Sequence, residues 1–326
     1  TASSERSFFV PFSALTRATY VTSSASAGGN LVATDLLDQD FIEALRNASP
    51  VMGLGVRTMT GLVGDVAIPR RSGVASTYYL STETTAITQS ESTFDQVTLS
   101  PKNLASLSKY SRQTLIQGTP GIEGLVRTDL TDGILAALDA AVLNGSGSSG
   151  QPTGIRNTSG IGSVAINTNG GAITMEKIVD LETAITQDNA VVGNSMAYVT
   201  NAKVMGALKK LRAGGSSSTD GSFLFNSDLQ AIGRGPTPLT LNGYPIATTN
   251  AIPSNLTKGS GSNLSALVAG DFSQAMVGFY GNGLEIVVGE DSDDFAKALT
   301  SVRGIVSFDV AVRHAESFAS IEDVST

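Results

Sequence analysis

Few residues in this chain have the chemistry needed for catalysis or metal binding. The sequence contains no cysteine and a single histidine, His314. This composition excludes disulfides, thiolate nucleophiles and zinc sites built from several such residues. A histidine serves as a general base when a serine and an aspartate complete a triad. His314 instead ends a predicted strand between Arg313 and Glu316, so we interpret it as a surface or interface side chain.

A glycine-rich run at 145–150 (GSGSSG) has the G-x-G-x-x-G spacing of a dinucleotide-binding loop. In such a loop the glycines follow a strand and open a helix. Here they follow the longest predicted helix and precede none. The run therefore indicates the end of a helix and a surface loop, and we predict no bound cofactor.

An acidic segment near the C-terminal end contains Glu290, Asp291, Asp293 and Asp294. Carboxylates bind calcium when a suitable spacing, such as that of the EF-hand with its closing glutamate, brings several oxygens together. This segment has neither the spacing nor the glutamate. We interpret it as a solvated or inter-subunit acidic turn and predict no metal site.

The composition favours a subunit that buries part of its surface against other subunits. Charged residues make up 15% of the 326 residues, against about 25% in an average soluble protein, and there are 35 glycines. The net charge of −8 argues against tight DNA binding, but it is compatible with an acidic wall past which DNA slides. No apolar run reaches the ~18 residues of a membrane helix, and the N-terminus has no signal-peptide pattern.

Hydrophobic periodicity predicts a mixture of helices and strands. The strongest helix is expected at 119–143, with Thr119 as its N-cap, Pro120 in its first turn and Gly145 as its stop. Asn242-Gly243 fits a type I′ hairpin turn. Further helices are predicted at 36–47, 175–186 and 202–212, and strands at 66–68, 77–80, 97–99, 104–107, 196–199, 239–241, 244–246, 266–269, 275–279, 284–288 and 299–312.

Two segments lack a core of their own. Residues 1–30 carry a small apolar cluster in a polar sequence, which is typical of an extended arm or of a disordered tail. Between residues 55 and 115 the pattern predicts a long two-stranded excursion with a polar tip. An isolated hairpin is marginally stable in water, so we expect other parts of an assembly to hold it.

Several motifs, taken together, resemble the major capsid protein family of tailed bacteriophages, whose fold is shared with herpesvirus shell floors and encapsulins. The motifs are KYSRQ at 109–113 ahead of the long helix, LNGSG at 143–147 with PTGI at 152–155, LNGYPI at 241–246, and VVGED at 287–291 with the strand at 302–312. Each motif is weak alone. Their order and spacing over almost the whole chain are specific.

The resemblance implies an α+β phage capsid fold with an N-terminal arm, an extended β-hairpin loop, a peripheral domain with a long spine helix, and an axial mixed α/β domain. The implied bounds are 1–34 for the arm, 35–61 for a helix and connector, 62–96 for the extended loop that lies over a neighbouring subunit, 97–145 with 290–326 for the peripheral domain, and 146–289 for the axial domain. A start at Thr1 fits either cleavage by a maturation protease or a shortened chain.

The function implied by the resemblance is that of a non-catalytic shell subunit. Copies of the chain would form the hexamers and pentamers of an icosahedral head around double-stranded DNA, without tight sequence-specific binding. The expected partners are other copies, a portal protein and decoration proteins, with no membrane. The expected location is the virion, after assembly in the host cytoplasm.

One departure from the family concerns covalent cross-linking, in which some members join a lysine and an asparagine of different subunits beside a buried glutamate. The extended loop here has no lysine, Asp293-Asp294 stands where the asparagine is expected, and the strand at 299–312 has no glutamate. We therefore predict particles without these links.

The candidate inter-subunit contacts are two arginines and the acidic segment. Arg70 and Arg71 follow Pro69 in the extended loop, and adjacent guanidiniums suit bidentate contact with carboxylates. We predict that at least one of them meets Glu290, Asp291, Asp293 or Asp294 of a neighbouring chain. The alternative is a pair of solvated charges that contributes little.

Three other functions stay open from the sequence alone. They are an encapsulin-like nanocompartment of the same fold, a hydrolase with a cryptic site, and a surface-array protein suggested by low charge and abundant Ser, Thr and Gly. Electron microscopy would separate closed shells with tail vertices, closed shells without them, monomers and flat lattices.

Overall fold

The computed structural model of the chain describes residues 50–77, 79–80, 82, 89–117, 121–188, 190, 195–212 and 240–325. The predicted arm at 1–34 and the predicted helix at 36–47 lie outside the described residues, as do Thr119 and Pro120. The described part combines helices with strands, which confirms the α+β class.

A five-stranded sheet is centred on strand β13 (Leu299–Val312), which has the bounds predicted from the sequence. Strand β4 (Lys102–Ser111) pairs with one edge of β13. On the opposite edge, β12 (Glu285–Gly289) pairs with the first half of β13, and β11 (Ala275–Tyr280) pairs with its last part. Strand β1 (Arg57–Leu62) extends the sheet beyond β11 in parallel. Because successive side chains of a strand point to opposite faces, one face of β13 supplies the core residues Val302, Val306, Phe308, Val310 and Val312.

The long helix α2 (Ile122–Asn144) packs on β13 and β4 and follows a short helix, α1 (Arg112–Gln117). It begins later than predicted, with Gly121 at the N-cap position and no side-chain cap. Its buried apolar residues recur at helical spacing, which is what fixes the face turned to the sheet. They are Leu130, Ile134, Leu138, Val142 and Leu143.

Gly145 ends α2, but the physical reason differs from the predicted one. Its φ of −54° and ψ of 137° lie outside the left-handed region that favours glycine. A Cβ at this position would lie 2.3 Å from the carbonyl oxygen of Pro152 and 2.7 Å from that of Ala141. The glycine is needed because the segment after the helix folds back against it, with Gly154 N donating to Gly145 O at 2.9 Å.

A second, seven-stranded sheet has the order β5-β14-β10-β6-β8-β7, with β9 paired to β10. Its strands are β5 (Gly162–Ser163), β6 (Met196–Thr200), β7 (Thr240–Leu241), β8 (Tyr244–Thr248), β9 (Leu256–Lys258), β10 (Gly261–Asp271) and β14 (Phe318–Val324). The β7–β8 turn has positive φ at both Asn242 and Gly243 (50° and 86°), which confirms the predicted type I′ turn.

Two helices pack against this sheet. Helix α3 (Met175–Gln187) is capped by Thr174, and helix α4 (Ala202–Lys209) is capped by the predicted residue Asn201. Their buried side chains form one apolar cluster with the strands, including Ile178 and Leu208. Helix α4 ends before the predicted residue 212, since the backbone leaves the helix at Lys210.

A two-stranded hairpin projects from the sequence between β1 and β4, as predicted. Strands β2 (Val66–Arg71) and β3 (Phe94–Leu99) pair antiparallel along their whole length. Among the described residues of the hairpin, those at its base meet the core, where Leu99 is buried among Met276 and other side chains of the five-stranded sheet. The strand predicted at 77–80 is not formed at the described positions there, since no pairing strand lies beside them.

The chain passes between the two sheets at two neighbouring places. Residues 272–274 connect β10 to β11, and residues 313–317 connect β13 to β14. The two connections run side by side, with Arg313 N donating to Gln274 O at 2.9 Å. Phe272 and Phe318 meet edge to face across them, with ring centroids 5.5 Å apart. Both rings are fully buried, so the two sheets share one apolar core.

The domain bounds implied by the resemblance stay a prediction, but the sheets cross the expected boundary at residue 290. Strands β11 and β12 belong with β13, while β14 belongs to the seven-stranded sheet. The sheets cross this boundary because the connections at 272–274 and 313–317 each carry the chain from one sheet to the other.

Candidate functional site

Arg70, near the outer end of strand β2, joins the hairpin to the residue that follows β13. Its guanidinium donates to Asp95 Oδ2 on the paired strand and to the carbonyl oxygen of Arg313, both at 3.0 Å. The pKa of Asp95 lies below its usual value because the backbone N–H of Gln96 and the Arg70 guanidinium both donate to the carboxylate. Arg70 therefore has partners within its own chain, and it positions the hairpin.

Arg71 differs from Arg70 in having no carboxylate partner in the described part of the chain. Its guanidinium donates to the hydroxyl of Ser92 at 3.1 Å in an exposed setting. A hydroxyl leaves the charge unneutralised. Of the two predicted arginines, Arg71 is the one free to meet a carboxylate of another subunit.

The acidic segment is a short helix, α5 (Ser292–Ala296), rather than the predicted turn. Asp291 caps it, accepting from the N–H of Ser292 at 2.7 Å. Asp293 is exposed and pairs with Lys297 at 2.8 Å along the helix. Glu290 is exposed and precedes the helix. These three carboxylates face solvent.

The fourth acidic residue of the segment, Asp294, is buried instead of facing solvent. It is 1% exposed, and it accepts from Lys109 Nζ and from Ser301 Oγ, each at 2.5 Å. The Lys109 ammonium and the Ser301 hydroxyl hold the pKa of Asp294 below its usual value. In return the carboxylate raises the pKa of Lys109. Asp294 thus fixes α5 to the sheet, and the structure separates it from the three solvent-facing acids.

The remaining chemical candidates stand apart from one another. His314 lies between β13 and a single turn at Ala315–Ser317, and its side chain has no hydrogen bond to any residue in the described ranges. The glycine-rich loop closes on itself, with Gly147 N donating to Pro152 O at 3.0 Å, and no helix follows directly. Among the residues described, no group of three or more acidic or histidine side chains is placed to hold a metal ion. No helix in those residues has the length and apolarity to cross a membrane.

The projecting part of the hairpin carries uncovered apolar side chains. Phe94 is 74% exposed, Val74 is equally so, and Tyr79 is fully exposed. Single exposed apolar residues are common on proteins, whereas a group of them on one projection marks a contact surface. From the sequence, the whole excursion was expected to be held by other parts of an assembly, but its arginines were the only residues named as candidate contacts, and these three apolar residues were not singled out.

Two sheets with a long helix and a projecting hairpin are an architecture found in solved capsid chains. The capsid of a native GTA particle has this fold, with a TM-score of 0.72 at 17% identity, covering 93% of this chain and 99% of that one. A chain of Gordonia phage Cozz has a TM-score of 0.68 at 15% identity, covering 93% and 94% of the two chains. The chain belongs to the phage capsid family, whose model matches residues 28–323.

Two relatives are themselves major capsid proteins. That of Halomonas phage phiHAP-1 is 29% identical over 297 residues, covering 90% of this chain and 44% of the relative. That of Klebsiella oxytoca phage phiKO2 is 25% identical over 313 residues, covering 91% and 68%. The chain therefore spans less than half of the first relative and about two thirds of the second. The resemblance inferred from the sequence is confirmed.

Proposed function

We propose that this chain is a structural subunit that assembles with copies of itself into the pentamers and hexamers of an icosahedral phage head. The observation that carries the proposal is the hairpin. It belongs to a capsid-family chain, and its described residues beyond the base include the exposed apolar side chains Val74, Tyr79 and Phe94, while residues at its base meet the core. A neighbouring subunit would cover those side chains.

Within this assembly, Arg71 of one chain contacts the exposed carboxylates of α5 and its cap in a neighbouring chain. The support is charge: Arg71 has only a hydroxyl partner, while Glu290, Asp291 and Asp293 face solvent. Bidentate pairing with a carboxylate suits the planar guanidinium. Arg70 contributes indirectly, because its two bonds set the hairpin's direction.

The shell encloses double-stranded DNA without binding it tightly, and it contains portal and decoration proteins as further partners. The net charge of −8 supports a wall that repels phosphates. We place the protein in the virion, after assembly in the host cytoplasm. The family is that of phage capsids, so we propose no enzymatic activity. The relatives and folds reported above are phage and GTA capsids, which favours a phage head over an encapsulin-like compartment.

Electron microscopy of particles from cells expressing the chain tests the proposal. Closed icosahedral shells are expected. Monomers or flat lattices under all conditions that keep the subunit folded would overturn it.

A further inference from the structure

Four asparagines of the sequence are each followed directly by a glycine. They are Asn144, Asn169, Asn242 and Asn282. Asparagine is a thermolabile residue, and a following glycine makes its side chain easier to attack, because no Cβ shields the backbone nitrogen of the glycine. The attack is intramolecular, so its rate depends on whether the fold lets the side chain reach that nitrogen. The structure separates the four pairs in this respect.

Asn144 is held in place at the end of helix α2. Its side-chain oxygen accepts from Arg156 Nε at 2.5 Å. The N–H of Gly145, whose nitrogen would have to attack, donates to Ala141 O at 2.9 Å. Both reacting groups are therefore engaged. The backbone around them is closely packed, since a Cβ on Gly145 would lie 2.3 Å from a carbonyl oxygen.

Asn169 and Asn242 are each held by a hydrogen bond of the side-chain amide. Asn169 Oδ1 accepts from the N–H of Ser260 at 3.1 Å, and Asn242 Nδ2 donates to Glu182 Oε1 at 2.9 Å. Rotating either amide onto the nitrogen of the following glycine would break that bond. The turn at Asn242 is also fixed between the paired strands β7 and β8.

Asn282 differs from the other three because its side chain is free. It lies in the connection at 281–284 between β11 and β12 and is exposed. Its side chain forms no hydrogen bond with any residue in the described ranges. The flanking residues Gly281 and Gly283 both have positive φ, 63° and 88°. A Cβ on either glycine would meet no atom within 4 Å, so the space around this turn is open.

We propose that Asn282-Gly283 is a site of spontaneous deamidation. The backbone nitrogen of Gly283, having lost its proton to hydroxide, bonds to Cγ of Asn282. The Cγ–Nδ2 bond breaks, and Nδ2 takes a proton from water and leaves as ammonia. Water then opens the resulting succinimide ring. Cleavage of the bond between the Gly283 nitrogen and Cγ gives aspartate, whereas cleavage between that nitrogen and the α-carbonyl carbon gives isoaspartate.

Either product changes the turn. Both add a carboxylate beside an apolar cavity of about 530 Å³ that Leu135, Phe279 and Leu284 also line. In isoaspartate the backbone runs through Cβ and Cγ, so the connection between β11 and β12 becomes one atom longer. The charge and the shape of this turn therefore alter as the protein ages, without any enzyme.

Peptide mapping by mass spectrometry tests the proposal on the full chain, because trypsin places the four asparagines on different peptides. Folded subunits and subunits unfolded in denaturant are incubated in a mildly alkaline buffer until the unfolded sample has converted. In the folded sample the Asn282 peptide should gain the mass difference between an OH and an NH₂ group, and the other three peptides should keep their mass. In the unfolded sample all four should convert, because the protecting contacts are absent. The rate at Asn282 should rise with pH, since hydroxide removes the attacking proton.

Two variants serve as controls. Asn282→Gln should keep its mass over the same period, because glutamine must close a larger ring. Asn282→Asp supplies the aspartate product, so the converted wild-type peptide should separate by chromatography into one species that elutes with it and a second, isoaspartate species. An Asn282 peptide that keeps its mass in the folded sample would overturn the proposal, as would equal rates at all four pairs in that sample. Neither outcome depends on whether the chain assembles into shells.

Discussion

Lys109 on strand β4 and Asp294 on helix α5 form a pair across 185 residues of sequence, with Nζ and Oδ1 2.5 Å apart. Asp294 is buried, whereas the Lys109 side chain is 41% exposed. The hydroxyl of Ser301 donates to the second carboxylate oxygen. The pair holds the acidic helix against the edge of the five-stranded sheet, and it sets which carboxylates of that helix reach solvent.

The stability of the subunit should fall in acid because of this pair. The pKa of Asp294 is lower in the folded state than its ordinary value of 3.8. Its stabilising contribution is therefore fully present above that value and is lost as the pH falls through the folded pKa. Thermal melts of unassembled subunits between neutral pH and pH ~2 should show this loss. In Asp294→Asn the acid-dependent part of the fall should shrink, and an unchanged pH profile would contradict the role given to Asp294.

Reversing the charge of Arg71 should impair assembly and leave the subunit folded. Arg71→Glu removes a guanidinium whose partner within the chain is a hydroxyl, so the melting temperature should change little. Facing Glu290, Asp291 and Asp293 of a neighbour, the new carboxylate should reduce particle yield or heat resistance. The matched control is Arg127→Glu on helix α2, whose arginine pairs with Glu123 in its own chain. Normal particles from Arg71→Glu would show that this charge is only solvated.

Mature particles should contain no covalent links between subunits. The extended loop lacks the lysine, and strand β13 lacks the glutamate, that cross-linking family members use. Boiled in detergent, particles should give one band near 33.5 kDa. A ladder of multimers that resists reductant would contradict this expectation.

Two glycine-to-alanine changes in and after helix α2 should have opposite effects on the free energy of unfolding. Gly124 has nothing within 4 Å of the position of a Cβ, so Gly124→Ala should stabilise the helix by about 0.5–1 kcal/mol. At Gly145 the added Cβ would meet carbonyl oxygens of the backbone, so Gly145→Ala should lower the stability by about 1–3 kcal/mol. Chemical denaturation measures both, and equal effects of the two changes would contradict the assignment of Gly145 to close packing.

Much of the fold follows from local sequence. Strand β13 and helices α2 and α3 have strong apolar periodicity, and Asn201 and Asn242-Gly243 carry their own cap and turn geometry. Strand β14 was not predicted from the sequence. It is buried on both faces, so its residues do not alternate between apolar and polar. It also contains Asp323, a buried carboxylate that strand propensity disfavours. Lys258 pairs with that carboxylate at 2.7 Å.

The candidate site was predicted only in part, because its geometry depends on contacts between residues that are far apart in the sequence. The sequence groups four acidic residues at 290–294, but which of them faces solvent depends on a helical turn of five residues and on Lys109 far away. Likewise, Arg70 and Arg71 are adjacent in sequence, while the alternation of a strand sends one to Asp95 and the other to Ser92. Contacts made over long sequence separations, such as these, appear only once the topology is known.

The two side-by-side connections between the sheets have a mechanical consequence. Two connections bridged by a backbone hydrogen bond resist twisting more than a single connection would, and the buried rings of Phe272 and Phe318 pack against each other beside them. Arg70 is anchored on the carbonyl of Arg313, within one of these connections. If a neighbouring subunit covers the hairpin as proposed, a pull on the hairpin would be delivered through Arg70 to the connection at Arg313 between the two sheets.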